Sequence, residues 1–405
     1  MCGIAGWLGG LPDSHNHTSH ILKRLRHRGP DGSGIKSSPQ ATLLHTRLSV
    51  IDLTPAGAQP MENEDGTIWT VFNGEIYNHR ELRDFLIRRG HLFKGRSDTE
   101  VLPHLYEELG ADFVTRLRGM FALAIYDKRT QKLVLARDRF GIKPLFYAAG
   151  MRRFAFASEI RALVELPGID TRPDRQAIYD FASLFYIPAP ETFYVGVRTV
   201  QPGEIIEAVL DGETIAWKAR VYHQWSIDPG PGVSLEQAVE RADDLLTAAV
   251  CRQMQSDVPL GSLLSGGIDS SLVSAAAQRA ARGDLRTFNV RFADKHYDET
   301  WAAMAVAEHI GSQHQILDMN SVAGTWEHIT EILTHSGQPF ADTSIFAANA
   351  ICRLMRQHVT VGLSGDGGDE GFAGYDLYWQ IERIARWQTL PPSIGRCISG
   401  SLGPL

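Results

Sequence analysis

A glycine-rich turn in the second half of the chain carries side chains suited to binding phosphate. The stretch Leu263–Ser271 (LLSGGIDSS) runs from an apolar strand through Ser265, Gly266 and Gly267 into a helix predicted to start at about Asp269–Ser271. A helix N-terminus offers free N–H groups and the positive end of its dipole to an anion. The turn lacks the G-K-[ST] of a Walker A loop and does not match G-x-G-x-x-G. Its spacing leaves open both phosphate binding and an ordinary glycine turn capped by Asp or Ser.

A second glycine-rich turn crowds three acidic residues together. In VTVGLSGDGGDEGFAGY (359–375), an apolar strand is followed by Asp366, Asp369 and Glu370. Like charges this close are unfavourable unless a cation or donor groups neutralise them, although a solvated acidic turn is the alternative. The spacing is not that of an EF-hand. If both turns follow parallel strands, they meet at the carboxyl edge of one sheet, where α/β folds bind ligands.

A third candidate is Cys2, in the opening stretch MCGIAGW. A lone cysteine is usually a small buried hydrophobe, and that alternative stays open on the local sequence. No basic segment followed by an apolar core precedes or includes it, so we do not expect it to lie in a cleaved signal peptide.

The patterning predicts two kinds of domain to position these residues. Short β-type runs such as TIWTVFNGEIY, GMFALAIYD, KLVLARD and RFAFASE dominate up to about Glu207. The cluster DPGPGV and the helix start at Ser234 predict a boundary near 222–234. Beyond it, apolar strands alternate with helices, which is typical of a parallel sheet with crossover helices.

Composition narrows the class of function. The chain has 405 residues, 43% of them hydrophobic, and a formal charge of −7 from 40 basic and 47 acidic residues. This length favours at least two domains, and the charge does not suggest nucleic-acid or membrane partners. The four cysteines are far apart, which favours a reducing, cytoplasmic compartment over a disulfide scaffold. No apolar run approaches the roughly 18 residues of a spanning helix.

The motifs resemble a known family. SGGIDSS looks like the pyrophosphate loop of ATP-pyrophosphatases, and HRGPDGSG, TRLSVIDL, FNGEIYNH, GRSDTEV and RDRFGIKPLFY resemble the glutaminase domain of class II, N-terminal-nucleophile amidotransferases. Their order is similar to that of class B, glutamine-hydrolysing asparagine synthetases over essentially all of 1–390. The resemblance implies a four-layer αββα glutaminase domain (2–207), a linker (208–233) and an α/β parallel-sheet ATP-pyrophosphatase-like domain (234–405), the last incomplete at its C-terminus.

The resemblance also implies roles in the first half. After removal of Met1, Cys2 would attack the glutamine amide with its own α-amine as base, and Asn73 with the Gly74 N–H would form the oxyanion hole. Arg47 suits the α-carboxylate and Asp98 the α-ammonium of glutamine. The complete expected glutamine-binding set is Arg47, Leu48, Ser49, Val50, Ile51, Asn73, Gly74, Glu75 and Asp98. Taken alone, Asn73-Gly74 is equally a hairpin turn signal, and Arg47 and Asp98 are ordinary surface charges.

In the second half the resemblance implies an ATP site with Mg²⁺. The expected ATP-binding residues are Leu263, Ser265, Gly266, Gly267, Asp269, Ser270, Ser271, Val290, Ser364 and Gly365. Asp269 and Asp369 are the expected metal ligands, and Asp366 is expected near the acyl-adenylate step. Gly371 and Ala373 depart from the family's DELFGGY pattern. Family members continue for roughly another helical subdomain that contains a lysine used in adenylation, so we expect a truncated chain that hydrolyses glutamine but forms little asparagine.

The implied reaction is the ATP-dependent conversion of aspartate to asparagine with ammonia from glutamine, through β-aspartyl-AMP, releasing AMP and pyrophosphate. The alternatives are a related amidotransferase acting on another carboxylate, such as a sugar acid, peptide or antibiotic precursor, and a non-catalytic binding or scaffold remnant. A lactam-forming relative fits less well because Cys2 is present. A homodimer is left open by the sequence.

Overall fold

In the computed structural model the described residues are 1–11, 14–227, 232–281, 283–292, 294–296, 298–319 and 326–388. Contacts divide them into two compact units. The first unit contains the described residues of 1–241, 252–259 and 321–361, and the second unit contains those of 242–251, 260–320 and 362–405.

Two antiparallel sheets of six strands each form the centre of the first unit's described part. In spatial order the first sheet consists of β10 (Arg198–Thr199), β8 (Phe146–Ala149), β9 (Phe154–Ala157), β1 (Gly3–Leu8), β3 (Ala41–Arg47) and β2 (Gly32–Ser37). The second consists of β12 (Thr214–Val221), β11 (Glu204–Asp211), β7 (Lys132–Arg137), β6 (Gly119–Asp127), β5 (Ile68–Ile76) and β4 (Met61–Glu62).

Alternating apolar side chains make this unit a four-layer structure. Along β6, Ala122, Ala124 and Tyr126 enter the core cluster between the two sheets, while Leu123 and Ile125 enter a cluster on the opposite face. This follows from the period of two in a strand, whose successive side chains point to opposite faces. The outer clusters include side chains of α1 (Ser14–Leu25) and α4 (Ile160–Leu163) on one side, and of α2 (His79–Ile87) and α3 (Val101–Leu109) on the other. The expected αββα fold is confirmed.

The helices of the first unit cover these faces and extend it. They are α1 (Ser14–Leu25), α2 (His79–Ile87), α3 (Val101–Leu109), α4 (Ile160–Leu163), α5 (Arg175–Leu184), α9 (Trp326–Ser336) and α10 (Ser344–Arg356), with 3-10 turns at Pro55–Gly57 and Gly110–Arg116. Helix α6 (Leu235–Gln253) has residues in both units. At its start Ser234 and Gln237 exchange hydrogen bonds of 3.2 Å, as the sequence predicts for a capping box.

The second unit is built on a smaller sheet of β15 (Gln313–Asp318), β14 (Arg286–Arg291), β13 (Leu260–Leu263) and β16 (Val361–Leu363), in that order. β13, β14 and β15 pair in parallel. The helices are α7 (Ile268–Ala280), α8 (Thr300–Ile310), α11 (Gly368–Phe372) and α12 (Asp376–Gln388). The strand and helix alternation predicts this α/β unit correctly.

The expected boundary at residue 207 is too early. β11 and β12 form a hairpin from Glu204 to Val221, and β11 also pairs with β7. Residues 208–221, which the sequence places in a linker, therefore belong to the second sheet. Residues 228–231 of the Pro/Gly cluster, and 389–405 at the end of the chain, lie outside the described residues.

Candidate active sites

The first candidate site surrounds Cys2, immediately before β1. Its partly buried sulfur accepts a hydrogen bond from the N–H of Leu48 at 3.4 Å, and burial raises the pKa of the thiol. The Cys2 carbonyl accepts a 3.0 Å hydrogen bond from Arg28 Nε. The charges of Arg47 and Asp98 both act on the thiol. These surroundings are polar, which argues against a cysteine that only fills space in the core.

The loop that follows β3 is held from several sides. Ser49 N donates to Asp31 Oδ2 at 2.8 Å, and Val50 O accepts from Asp257 N at 3.0 Å. Arg47 Nη1 donates to the carbonyl of Thr54 at 3.1 Å, and its Nη2 donates to that of Asp52. Two of the five guanidinium N–H groups thereby fix the side chain, and the other three have no hydrogen-bond partner among the described residues. The five expected glutamine-binding residues at 47–51 thus lie in one braced segment.

Asn73 and Gly74 lie inside β5, where they pair with Ala122 and Phe121 of β6. This continuous register excludes the hairpin alternative. Asn73 has no exposed surface, yet neither Nδ2 nor Oδ1 has a hydrogen-bond partner among the described residues. An unsatisfied buried amide costs about 1–3 kcal/mol, so its position points to a ligand. A Cβ on Gly74 would overlap the carbonyl of Met120, which explains why glycine is required there.

Two carboxyl groups share the site. Asp98 is only 5% exposed, and its Oδ2 accepts a 2.9 Å hydrogen bond from Ile76 N. Burial raises the pKa of Asp98, and burial followed by the charge of Asp98 raises the pKa of Glu75 to about 7. Asp98 is therefore a buried group rather than a surface charge. An ammonium ligand would stabilise its ionised form.

Sequence reasoning missed Lys143, which lies in the quoted motif RDRFGIKPLFY. Its side chain is only 4% exposed, and burial lowers its pKa to about 8. The charges of Glu75 and Cys2 act on it, so it belongs to the same site. A lysine is exposed by default, and nothing local marks this one as buried. The resemblance of this motif to the glutaminase domain was the signal that could have identified Lys143 as a site residue.

The second candidate site lies at the carboxyl ends of β13 and β16 in the second unit. Loop 1 (residues 264–267) connects β13 to α7, and hydroxyl groups brace it internally. Ser265 Oγ and Ser270 Oγ are 2.9 Å apart, and Gly267 N donates to Ser265 Oγ at 3.3 Å. Gly267 is the N-cap of α7 and provides no side-chain cap, so the alternative of an Asp or Ser cap is wrong. Ser271 Oγ instead donates to the Gly267 carbonyl at 2.7 Å.

Loop 2 (residues 364–367) follows β16 and packs directly on the start of α7. A Cβ on Gly365 would lie 2.7 Å from Ser270 N, and one on Gly368 would overlap Asp269 Oδ2. Ser364 Oγ donates to Asp366 Oδ2 at 2.9 Å. Loop 2 and the start of α11 therefore contact the first turn of the helix that loop 1 leads into. Leu263 ends β13 opposite Phe288 of β14, and Val290 is two residues further along that strand.

The remaining acidic residues of this site lie on α11. Asp369 and Glu370 are in its first turn, and Tyr375 Oη donates to Glu370 Oε1 at 2.9 Å. That carboxylate raises the pKa of Tyr375 to about 12. The side chains of this site offer carboxylate and hydroxyl oxygens, and the glycines at 365 and 368 let the backbone come close to the start of α7. Oxygen ligands of this kind fit a hard cation that also binds phosphate oxygens.

Comparison with known proteins follows the same division. A family model described as a glutamine amidotransferase domain matches residues 1–222, and one described as asparagine synthase matches 241–402. The glutamine-hydrolysing asparagine synthetase 1 of Bacillus subtilis is 34% identical over 98% of this chain and 62% of its own length. Asparagine synthetase 3 of Arabidopsis thaliana is 35% identical over 94% and 61%. The chain thus spans less than two thirds of these curated relatives.

Among solved structures, the glutamine phosphoribosylpyrophosphate amidotransferase of Bacillus subtilis aligns with 86% of this chain and 92% of its own, at 16% identity and a TM-score of 0.42. Among the described residues, none of the helices combines the length and the apolar character needed to cross a bilayer.

Proposed function

Because the chain belongs to the glutamine amidotransferase family, we propose that its first unit hydrolyses glutamine at Cys2. The observation that carries this proposal is the fully buried Asn73 amide without a partner. An amide donor held in that state stabilises an oxyanion more than it stabilises a neutral carbonyl. With Met1 removed, the α-amine of Cys2 takes the thiol proton, and the thiolate attacks the glutamine amide carbon.

The other groups of the site hold the substrate. The free N–H groups of Arg47 bind the α-carboxylate, and Asp98 pairs with the α-ammonium. Glu75 and the segment 48–51 line the same site. Ammonia leaves as the thioester forms, and water then releases glutamate.

We propose that the second unit uses this ammonia to make asparagine from aspartate and ATP. Loops 1 and 2 bind the phosphates through N–H and hydroxyl groups, with the adenine near Leu263 and Val290. Asp269 and Asp369 would hold Mg²⁺, which supplies charge neutralisation for the phosphates. Aspartate is activated as β-aspartyl-AMP near Asp366, pyrophosphate leaves, and ammonia displaces AMP. The curated relatives named as asparagine synthetases support aspartate as the acceptor.

The cellular location and the oligomeric state of the chain stay predictions. The free thiols of Cys2 and Cys251 are compatible with a reducing compartment, and we propose the cytoplasm. Sedimentation of the purified chain would test the homodimer.

Cys2→Ala tests the assignment of two chemistries to two sites. Glutamate release should disappear, and pyrophosphate release that depends on aspartate and ammonium should persist at the wild-type rate. Cys251→Ala, at an exposed cysteine, is the matched control and should retain both activities. Equal loss of both activities in Cys2→Ala would contradict the proposal. A screen of other carboxylates in the same assay tests the acceptor.

A further inference from the structure

A cluster of two histidines and two glutamates lies in the first unit, apart from the residues assigned to glutamine. Glu64 is in the turn between β4 and β5, His91 follows α2, and His104 and Glu107 lie on α3. One ligand atom from each of the four lies within 4.8 Å of the others. Residues three apart on a helix share a face, which explains why His104 and Glu107 reach the same point.

The spacing inside the cluster fits a tetrahedral ion. Glu64 Oε1 lies 3.1 Å from His91 Nδ1, and Glu64 Oε2 lies 3.1 Å from His104 Nδ1. Ligand bonds of about 2.0–2.1 Å place neighbouring tetrahedral ligands roughly 3.3 Å apart. Small side-chain movements would therefore complete the site.

Hydrogen bonds from residues outside the cluster orient the side chains of His91 and Glu107. The other ring nitrogen of His91, Nε2, is 3.2 Å from Glu108 Oε1, and Asn63 Nδ2 donates to Glu107 Oε2 at 3.0 Å. Hydrogen bonds of this kind fix the tautomer and orientation of metal-ligating groups. Arg129 Nη1 lies 3.6 Å from Glu107 Oε1, which makes Glu107 the weakest of the four ligands.

His104 supplies an independent observation. Its side chain is only 2% exposed, and Nδ1 points into the cluster without a hydrogen-bond partner in the part of the chain that the structure describes. The 3.1 Å approach to Glu64 does not have hydrogen-bond geometry, so the buried nitrogen lone pair or proton is unsatisfied.

We propose that Glu64, His91, His104 and Glu107 bind one divalent cation of the Zn²⁺ class. Mixed imidazole and carboxylate ligands favour Zn²⁺ over Mg²⁺ or Ca²⁺, which prefer oxygen ligands. The ion crosslinks the turn after β4, the segment after α2 and helix α3, so it stabilises this side of the first unit.

Metal binding by the full chain tests this proposal directly. After chelator treatment and dialysis, the protein is titrated with Zn²⁺ by calorimetry, and with Co²⁺ by visible spectroscopy. We expect one equivalent with a tetrahedral Co²⁺ spectrum that lacks sulfur charge-transfer bands, which excludes binding by cysteine. Zn²⁺ should raise the unfolding midpoint because it binds the folded state.

The variants His91→Gln and Glu64→Gln should each weaken Zn²⁺ binding at least tenfold, and His309→Gln, in an exposed position near the end of α8, should not. Circular dichroism of the metal-free variants separates weak binding from misfolding. If one variant fails to fold, the other variant and the wild-type titration still decide whether the cluster binds Zn²⁺. Binding that is absent, that is unchanged in both variants, or that shows sulfur bands would overturn the proposal and leave an ordinary histidine and glutamate hydrogen-bond network.

Discussion

In the chain that still carries Met1, the ammonium of Lys143 donates to the thioether sulfur of Met1 across 2.7 Å, inside the site that contains Cys2. A thioether is a weak acceptor, so this contact does little to offset the burial of the lysine charge. The charge of Glu75 favours the protonated lysine, but burial outweighs it and the pKa falls to about 8.

Lys143→Met tests the burial of this charge. The unfolded chain keeps the lysine pKa near 10.5, so above pH 8 the unfolded state binds more protons and the wild-type protein gains stability as the pH rises. The gain is on the order of 3 kcal/mol at most. The variant should lack it in urea unfolding curves recorded between pH 7 and pH 10. Lys218→Met, at an exposed position on β12, should follow the wild type. Parallel curves for wild type and Lys143→Met would contradict the shifted pKa.

Asn73→Ala should separate catalysis from stability. The side chain makes no hydrogen bond within the described protein, so the gain from removing an unsatisfied amide offsets the packing lost with the side chain, and the unfolding free energy should stay nearly unchanged. Loss of an oxyanion donor should lower kcat for glutamine about 100- to 1,000-fold, with little change in KM.

Asn63→Ala is the contrasting variant for this prediction. Asn63 Oδ1 accepts hydrogen bonds from Thr67 N at 3.1 Å and Ile68 N at 3.0 Å. Its loss should cost roughly 1–3 kcal/mol of stability and leave kcat unchanged. If Asn73→Ala behaves in the same way, its amide has a structural role.

The contrast between Asn73 and β6 shows how far the sequence predicts this protein. The continuous apolar run in GMFALAIYD predicts β6 with its bounds, because a short apolar run bounded by turn residues indicates a strand that is buried on both faces. Asn73-Gly74 is ambiguous locally, because only its pairing with β6 decides between strand and turn. β12 was missed because it is an edge strand with mostly exposed side chains. His91 and His104 are brought together by tertiary packing, which no local pattern encodes.

Ala373→Gly should stabilise the second unit. Ala373 ends α11 with φ of 57°, in the left-handed region that costs a residue with a Cβ roughly 1–2 kcal/mol. Glycine removes this cost, so we expect a gain of about 1 kcal/mol in the unfolding transition of this unit. Ala305→Gly, at an exposed position inside α8, should instead destabilise it by about 1 kcal/mol. A loss of stability in both variants would show that the conformation at 373 differs from the left-handed one.

Gly368→Ala adds a single methyl group and should disable the use of ATP by the second unit. A Cβ at this position would overlap Asp269 Oδ2, so the substitution must move either α11 or the carboxylate proposed to hold Mg²⁺. We expect ATP-dependent pyrophosphate release to fall at least tenfold, with a higher Mg²⁺ requirement, and glutamine hydrolysis to stay unchanged.

Gly371→Ala is the matched control for Gly368→Ala, because both glycines lie on α11. Apart from the neighbouring backbone of α11, no atom of the described residues lies within 4 Å of a Cβ built on Gly371, so alanine fits there without displacing Asp269. This variant should keep pyrophosphate release and gain a little stability, since alanine is the better helix former. Comparing the two variants separates the effect of the contact with Asp269 from the general effect of alanine on the helix. Equal pyrophosphate release by both variants, at saturating and limiting Mg²⁺, would exclude Asp269 from the metal site.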